Sequence, residues 1–348
     1  MPLDGAPSVA YQVQVGTRTL SSRAQESEGQ LLSLATELSM DSVGGSCRLT
    51  IGDTAFALPA PGEALTVDLD AGAGSARCFT GQVQAAGADP QGVWVEAADG
   101  LARLARLELE SVYQDVQAGF VVKDLLTRAG LSPGTVAAGI KLPAYAVHRA
   151  PRALEQIRRL GELCGADLYT DGAGKVHFAT PKERGPEHRY GYGSEVMSLE
   201  LAAALPPWDS LEVWGEGAAS SQGAERYYWL SSDLKGVDGK AVLLANGQVE
   251  AGRLGERPRR LVAGAIRSGE AAAAVARAGM EAVAARTLRG FLEVRGAPGV
   301  EPGDGVAFDD LPADHALAAL LLGRTPLRVR QVGHTLSRAG GLRTRLGF

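Results

Sequence analysis

The chain has 348 residues, 45% of them hydrophobic and 22% charged, and a formal net charge of -5. That length allows two or three compact units with cores of their own, and the composition is that of a globular protein. Net acidity argues against bulk nucleic-acid binding, and no run approaches the roughly 20 apolar residues that span a bilayer.

Met1-Pro2-Leu3-Asp4 lacks the charged and apolar regions of a signal peptide. Cys47, Cys78 and Cys164 are unevenly spaced in apolar surroundings. They read as buried thiols made in a reducing compartment, not as a disulfide or zinc framework.

Ala10–Val15 and Gly45–Ile51 alternate as half-buried strands do. Between them, Gln30–Met40 is apolar enough to be helix or strand. Ala64–Leu69, Ala76–Ala85 and Gly92–Ala97 continue the β pattern between turns rich in Gly, Pro and Asp. Short strands at this spacing predict a barrel or sandwich. Phe120–Ala129 has a helical apolar face (Val121, Val122, Leu125, Leu126), with Gly130 as its C′ residue and Pro133 beyond. Pro151–Gly165 is the clearest helix, with Leu154, Ile157, Leu160, Gly161 and Cys164 on its inner stripe. Leu168-Tyr169 and Val176–Phe178 flank Asp171-Gly172-Ala173-Gly174 as a hairpin. Val196–Leu201 and Asp209–Glu216 read as strands, and Gly217–Arg260 is the least readable stretch. Gly269–Arg289 is an Ala-rich helix with Val275, Met280, Val283 and Leu288 inward, and with Ala272, Ala276 and Ala284 permitting close approach of a neighbour. Phe291–Arg295 and Val306–Phe308 alternate again, separated by turns at Pro298-Gly299 and Pro302–Gly305, a variable excursion leads to the alternating Leu327–Val332, and Gly340-Gly341 turns the chain into a closing strand.

Charge is unevenly distributed. Asp53–Asp115 holds ten acids against Arg77, Arg103 and Arg106, whereas Arg324–Arg345 holds six Arg and no acid. The two stretches are either solvated faces of opposite sign or complementary contacts between regions or between copies.

The residues give no catalytic, cofactor or metal constellation. His148, His177, His188, His315 and His334 show no i,i+2 or i,i+4 spacing and none lies beside Cys at zinc spacing. His177 and His334 fall on strands and read as structural. Asp304, Asp309 and Asp310 lack the alternate-position spacing of a Ca²⁺ loop and read as turn-solvating acids. Ser46 and Ser194 lack a nucleophile elbow, and the Gly-rich stretches lack the Lys of a P-loop. Trp94, Trp208, Trp214 and Trp229 lie in or beside strand-like sequence, where core packing competes with a sugar platform. The terminal Arg run has no interleaved aromatics to stack bases. These features point away from an enzyme.

Several segments together resemble the phage late control protein D family, the hub proteins of contractile tails, whose fold also forms the N-terminal part of valine-glycine-repeat spike proteins of type VI secretion. The residues that carry the resemblance are Phe79–Val83 with Val93–Leu104, then Val112-Tyr113, then the helix with Gly165-Ala166, Tyr169, Gly174-Lys175-Val176 and Phe178. Val196–Leu201, Asp209–Glu216, Gly296–Val306 and Val329–Thr344 complete it. The resemblance covers about Ala10 to Thr344 and is weakest over Gly217–Arg260.

The resemblance implies an α+β, mainly β fold: two related antiparallel β-barrel modules, 1–111 and 183–348, with an α+β module, 112–182, between them. It implies assembly as a homotrimeric ring, in which two barrels from each of three chains match a sixfold tail tube while the threefold axis receives a trimeric spike. Because Phe348 ends the chain where fused spike proteins continue, the spike is expected to be a separate polypeptide. Further implied partners are a tube-initiator, baseplate wedge components and a tape-measure protein. The place implied is the tail tip of a phage-like particle assembled in the cytoplasm. Two other readings compete with it, a carbohydrate-binding tail adhesin and a hydrolase whose site is assembled from distant residues.

Overall fold

The structure, a computed structural model, describes residues 9–23, 27–216 and 237–348. The leader reading at Met1–Asp4 and the tryptophan at Trp229 lie outside the described residues.

Alternation builds the strands. In Ala10–Val15, Val13 and Val15 are buried and Gln12 and Gln14 face outward. In Ala64–Asp70, Leu65, Val67 and Leu69 have no exposed surface. Gln30–Met40 resolves as strand, Leu31–Ser39, with Leu34, Thr36 and Leu38 turned inward. An apolar run with this period of two cannot present one face to a core as a helix.

Eleven strands form one sheet. Its order is Val196–Ala203, Leu288–Arg295, Gly341–Gly347, Gln331–Ser337, Leu31–Ser39, Ser46–Ile51, Gly92–Ala98, Ser75–Asp89, Ala64–Asp70, Ala10–Val15 and Arg18–Ser21. The long strand Ser75–Asp89 pairs with Ala64–Asp70 and with Gly92–Ala98, and irregularities at Val67/Asp68 and Val83/Ala85 let it bend between them.

The two β regions expected as separate barrels are hydrogen-bonded to each other. Leu31–Ser39 runs antiparallel to Gln331–Ser337, from Gln331 opposite Ser39 to Ser337 opposite Ser33. With Ser46–Ile51 on its other side, Leu31–Ser39 has no free edge on which either region could close. The sheet is therefore open, and none of the sheets among the described residues closes on itself.

The described residues include five helices, α1 (Gly100–Leu104), α2 (Ala118–Arg128), α3 (Ala153–Cys164), α4 (Gly269–Ala284) and α5 (Ala316–Leu321), the last lying against strand Val196–Ala203 of the large sheet. The inner stripe read for α3 is buried, and Leu163 and Gln156 join it. α4 stops five residues before the expected end. Leu288 begins a strand that pairs with Ala203, and ladder formation there overrides the local helix propensity. Ala272 and Ala276 have no exposed surface and let α4 lie against strand Asp238–Leu243. That strand forms a four-stranded sheet with Ser210–Gly215, Val249–Ala251 and Pro258–Ala263. The core beneath α1 to α4 is continuous, reaching from Leu101 to Met280, while the N-terminal and C-terminal strands each cover a core of their own.

Two helix ends test this packing. Gly130 (φ +68°) completes a Schellman arrangement, in which its N–H donates to Thr127 O and that of Leu131 to Leu126 O, each at 2.9 Å. Gly165 (φ +62°) ends α3, and a Cβ there would lie 2.5 Å from the Ala278 carbonyl oxygen of α4. Gly130→Ala is expected to cost about 1–2 kcal/mol of left-handed strain. Gly165→Ala adds a backbone collision and is expected to cost at least twice as much, read from denaturant midpoints of the two variants.

Candidate functional site

The most concentrated chemistry in the described structure is a buried ion network where the three sequence regions meet. Asp167 opens the hairpin strand after α3. Its Oδ2 accepts from Arg328 Nη1 at 2.6 Å and from Arg330 Nη1 at 3.2 Å. Its Oδ1 accepts from Arg330 Nη2 at 3.0 Å and from Arg286 Nη2 at 2.6 Å. Arg330 also grips Asp41, just past strand Leu31–Ser39, through Nε at 3.0 Å and Nη2 at 2.7 Å. The side chains of Asp167, Arg328 and Arg330 are each only 6% exposed, whereas Asp41 and Arg286 reach solvent.

Burial alone would raise the Asp167 pKa, but Arg330, Arg328 and Arg286 outweigh it and hold the carboxyl well below the usual carboxylate range. Arg330 moves the opposite way, its guanidinium held charged by Asp41 and Asp167 despite its burial. On its open side the network borders a cleft of about 460 Å³ between α3, α4 and the Met40–Val43 turn.

The basic stretch Arg324–Arg345 does make complementary contacts between regions. The acids that its buried arginines meet are Asp167 and the solvent-reaching Asp41, neither of which belongs to the acid-rich stretch Asp53–Asp115. Alternation from Leu327 to Val332 predicts outward-facing arginines, yet Leu327, Arg328, Val329 and Arg330 are all buried. The strand breaks after Arg328 and resumes at Gln331, and the carboxylates allow both faces to be covered. Nothing local to either acid marks it as a partner.

A second polar seam joins the hairpin turn to the Pro298–Asp304 turn. Gly172 N–H donates to Glu301 Oε1 at 3.2 Å, and Thr80 Oγ1 donates to the Gly172 carbonyl at 2.8 Å. Asp304, read as a turn-solvating acid, is instead buried. It accepts from Glu301 N–H at 2.9 Å and pairs with His188 Nε2 at 2.8 Å, because the turn folds back onto the hairpin and excludes water. Asp309 is exposed and pairs with Arg189. Burial, with Asp171 nearby, raises the Glu301 pKa.

Asp99 forms a third tie. Its carboxylate caps α1 through Leu101 N–H (3.0 Å) and accepts from Gly45 N–H (2.6 Å) and Thr170 Oγ1 (2.5 Å), while burial raises its pKa.

Two of the histidines, His177 and His188, serve these contacts. His177 stacks on Tyr169 at 4.9 Å and accepts from Thr135 N–H at Nδ1, so its Nε2 carries the proton it shares with Asp171 at 3.1 Å. His315 Nδ1 accepts from Leu317 N–H at the start of α5. His334, 2% exposed, meets Thr344 Oγ1 at 3.0 Å, and burial depresses its pKa to about 4. His148 is exposed. The three thiols are buried and free, and burial raises the pKa of each, that of Cys78 to about 12. Ser194 Oγ donates to the Gly191 carbonyl. Trp94 lies against Gly87 of the neighbouring strand, and Trp208 packs on the central core beneath Arg259. What this arrangement does is fix elements to one another.

Removing Asp167 leaves the buried Arg328 guanidinium without a counter-charge and Arg330 with Asp41 alone. Asp167→Ala is expected to lose roughly 3–5 kcal/mol in chemical denaturation. Because the folded pKa of Asp167 is depressed, its stabilisation is complete above the unfolded value near 3.9 and drains away as pH falls toward the folded one. The stability gap between wild type and Asp167→Asn should therefore be full at neutral pH and narrow below about pH 4. His334 should titrate near pH 4 by NMR, in contrast to about 6.5 for a free imidazole.

No protein-family model matches the sequence, and neither does any curated protein. Among solved structures, the chain is similar to the 43 kDa tail protein of prophage MuSo2 from Shewanella oneidensis. The TM-score is 0.66 at 13% identity, and 98% of each chain is covered. It is also similar to the tail protein from Neisseria meningitidis MC58, with TM-score 0.61, 12% identity and coverage of 98% of this chain and 96% of that one. A third similar structure is the Escherichia coli c3393 protein, described as a component of the type VI secretion system that resembles the T4 tail proteins gp27 and gp5. There the TM-score is 0.58 at 12% identity, with 96% of this chain and 75% of that one covered. Across nearly its whole length, the chain has the fold of these phage tail proteins and of the type VI secretion component.

Proposed function

We propose that this chain is a structural hub of a contractile-tail baseplate, acting by geometry and load-bearing and not by catalysis. The observation that carries the reading is end-to-end correspondence of fold with a phage tail protein, 98% of each chain, across β and α regions alike. A partial match would fit a shared module. Correspondence over the whole chain makes the arrangement of modules the common property.

In this reading three copies form a ring, each contributing its N-terminal and C-terminal β regions, with divisions near residues 111 and 182. Two β regions from each of three chains offer quasi-sixfold contacts to a tail tube or tube-initiator. The true threefold axis receives a separate trimeric spike, and wedge components and a tape-measure protein complete the surroundings. The ion network supports this role, since it ties three regions of the chain into one unit able to transmit force. Particle assembly would begin from chains made in the cytoplasm.

Light scattering on the isolated chain, repeated with the product of a neighbouring spike gene, tests the proposal. A trimer that binds one trimeric spike is the expected result, and trimerisation only in the presence of the spike would place the assembly switch in the partner. A strict monomer that ignores the spike would overturn the hub reading.

A further inference from the structure

A groove of about 860 Å³ runs between the Pro181–Arg184 linker, the C-terminal end of α4, the Asn246–Val249 turn and the Leu322–Arg328 segment. Its charge is one-sided. Lys182, Arg184, Arg277 and Arg324 line it, and Glu281 is the one acid among its described lining residues. Glu281 is shared by Lys182 Nζ at 2.8 Å and Arg277 Nε at 3.1 Å. Among the described residues, Arg184 and Arg324 have neutral acceptors, the Pro326 carbonyl at 3.2 Å and Thr287 Oγ1 at 3.5 Å. Arg328 also lines the groove. Its Nη1 is committed to Asp167, and its Nε and Nη2 are buried away from the groove.

From this one-sided charge and the neutral acceptors of Arg184 and Arg324 we infer that the groove is a docking site for an acidic segment of a partner protein. Guanidinium groups with spare N–H donors match carboxylates in pairs, which favours an acidic chain over a neutral one. Leu322, 83% exposed at the rim, supplies an apolar contact that a peptide side chain can use. Phe348 is the single aromatic among the described lining residues, so the groove has no run of rings on which successive nucleobases could stack. The Ala284 carbonyl at the end of α4 is taken by Thr287 Oγ1 at 2.9 Å, and the cations of the groove outweigh the partial negative charge of that helix end. The groove stands on its own geometry, apart from the ring proposed above.

The test is fluorescence anisotropy of a labelled peptide of alternating Glu and Leu on the full chain, beside the same peptide with Gln for Glu and a labelled oligothymidylate. The acidic peptide should bind, weaken with added salt, and bind roughly tenfold or more weakly to the Arg184→Glu, Arg324→Glu double variant. Arg184→Gln with Arg324→Gln serves if the charge reversal unfolds the chain. Glu281→Gln should tighten binding, a change that a purely structural role for these residues would not produce. Equal binding by the double variant, equal binding of the Gln peptide, no binding at low salt, or tighter binding of the oligothymidylate would each overturn the inference.

Discussion

A carboxylate withdrawn from water costs several kcal/mol unless its lone pairs and charge are met in place. Asp167 meets that requirement only when Arg328 and Arg330 arrive from the C-terminal region and Arg286 from the end of α4. Arg330 is in turn positioned by Asp41 from the N-terminal region. Each partner is therefore a condition on the placement of the others. Hydrophobic cores can slide or repack with modest loss, but a buried guanidinium tolerates little displacement before it loses its bonds. The network adds registration to regions that already share the apolar core running from Leu101 to Met280.

Two further contacts extend the same logic. Asp99 joins the end of one strand to the start of α1 and to the hairpin strand through Thr170. The Glu301–Asp304 turn closes on the hairpin loop through Gly172 and on strand Glu187–Gly191 through His188. In each case a polar group excluded from water finds its partner in a different sequence region. Polar contacts thus act beside the shared apolar core in fixing how the parts of this chain meet.

Much of the secondary structure was legible because local periodicity encodes it. The α3 stripe, the hairpin around Asp171–Gly174 and the β character of the N-terminal hundred residues follow from spacing alone. Gln30–Met40 was ambiguous because an apolar run shows no period until its neighbours cover one face. The early end of α4 was hidden because Leu288 and Arg289 suit a helix locally and are claimed by a ladder with Ala203 and Ala202. The join between the two β regions was invisible for a different reason. Nothing in Leu31–Ser39 announces a partner three hundred residues away, just as nothing around Asp41 or Asp167 announces Arg330.

The pairing of Leu31–Ser39 with Gln331–Ser337 also has a consequence in time. A ribosome releases the first of these strands long before it makes the second. Until the closing residues emerge, the N-terminal sheet presents an edge with unpaired N–H and carbonyl groups, the kind of template on which chains aggregate. Contacts of such long sequence separation close slowly, since the loop entropy is lost before they reward it. The nascent chain is thus left with an open seam until Gln331–Ser337 has been made, and truncation before that strand would keep the seam open for good.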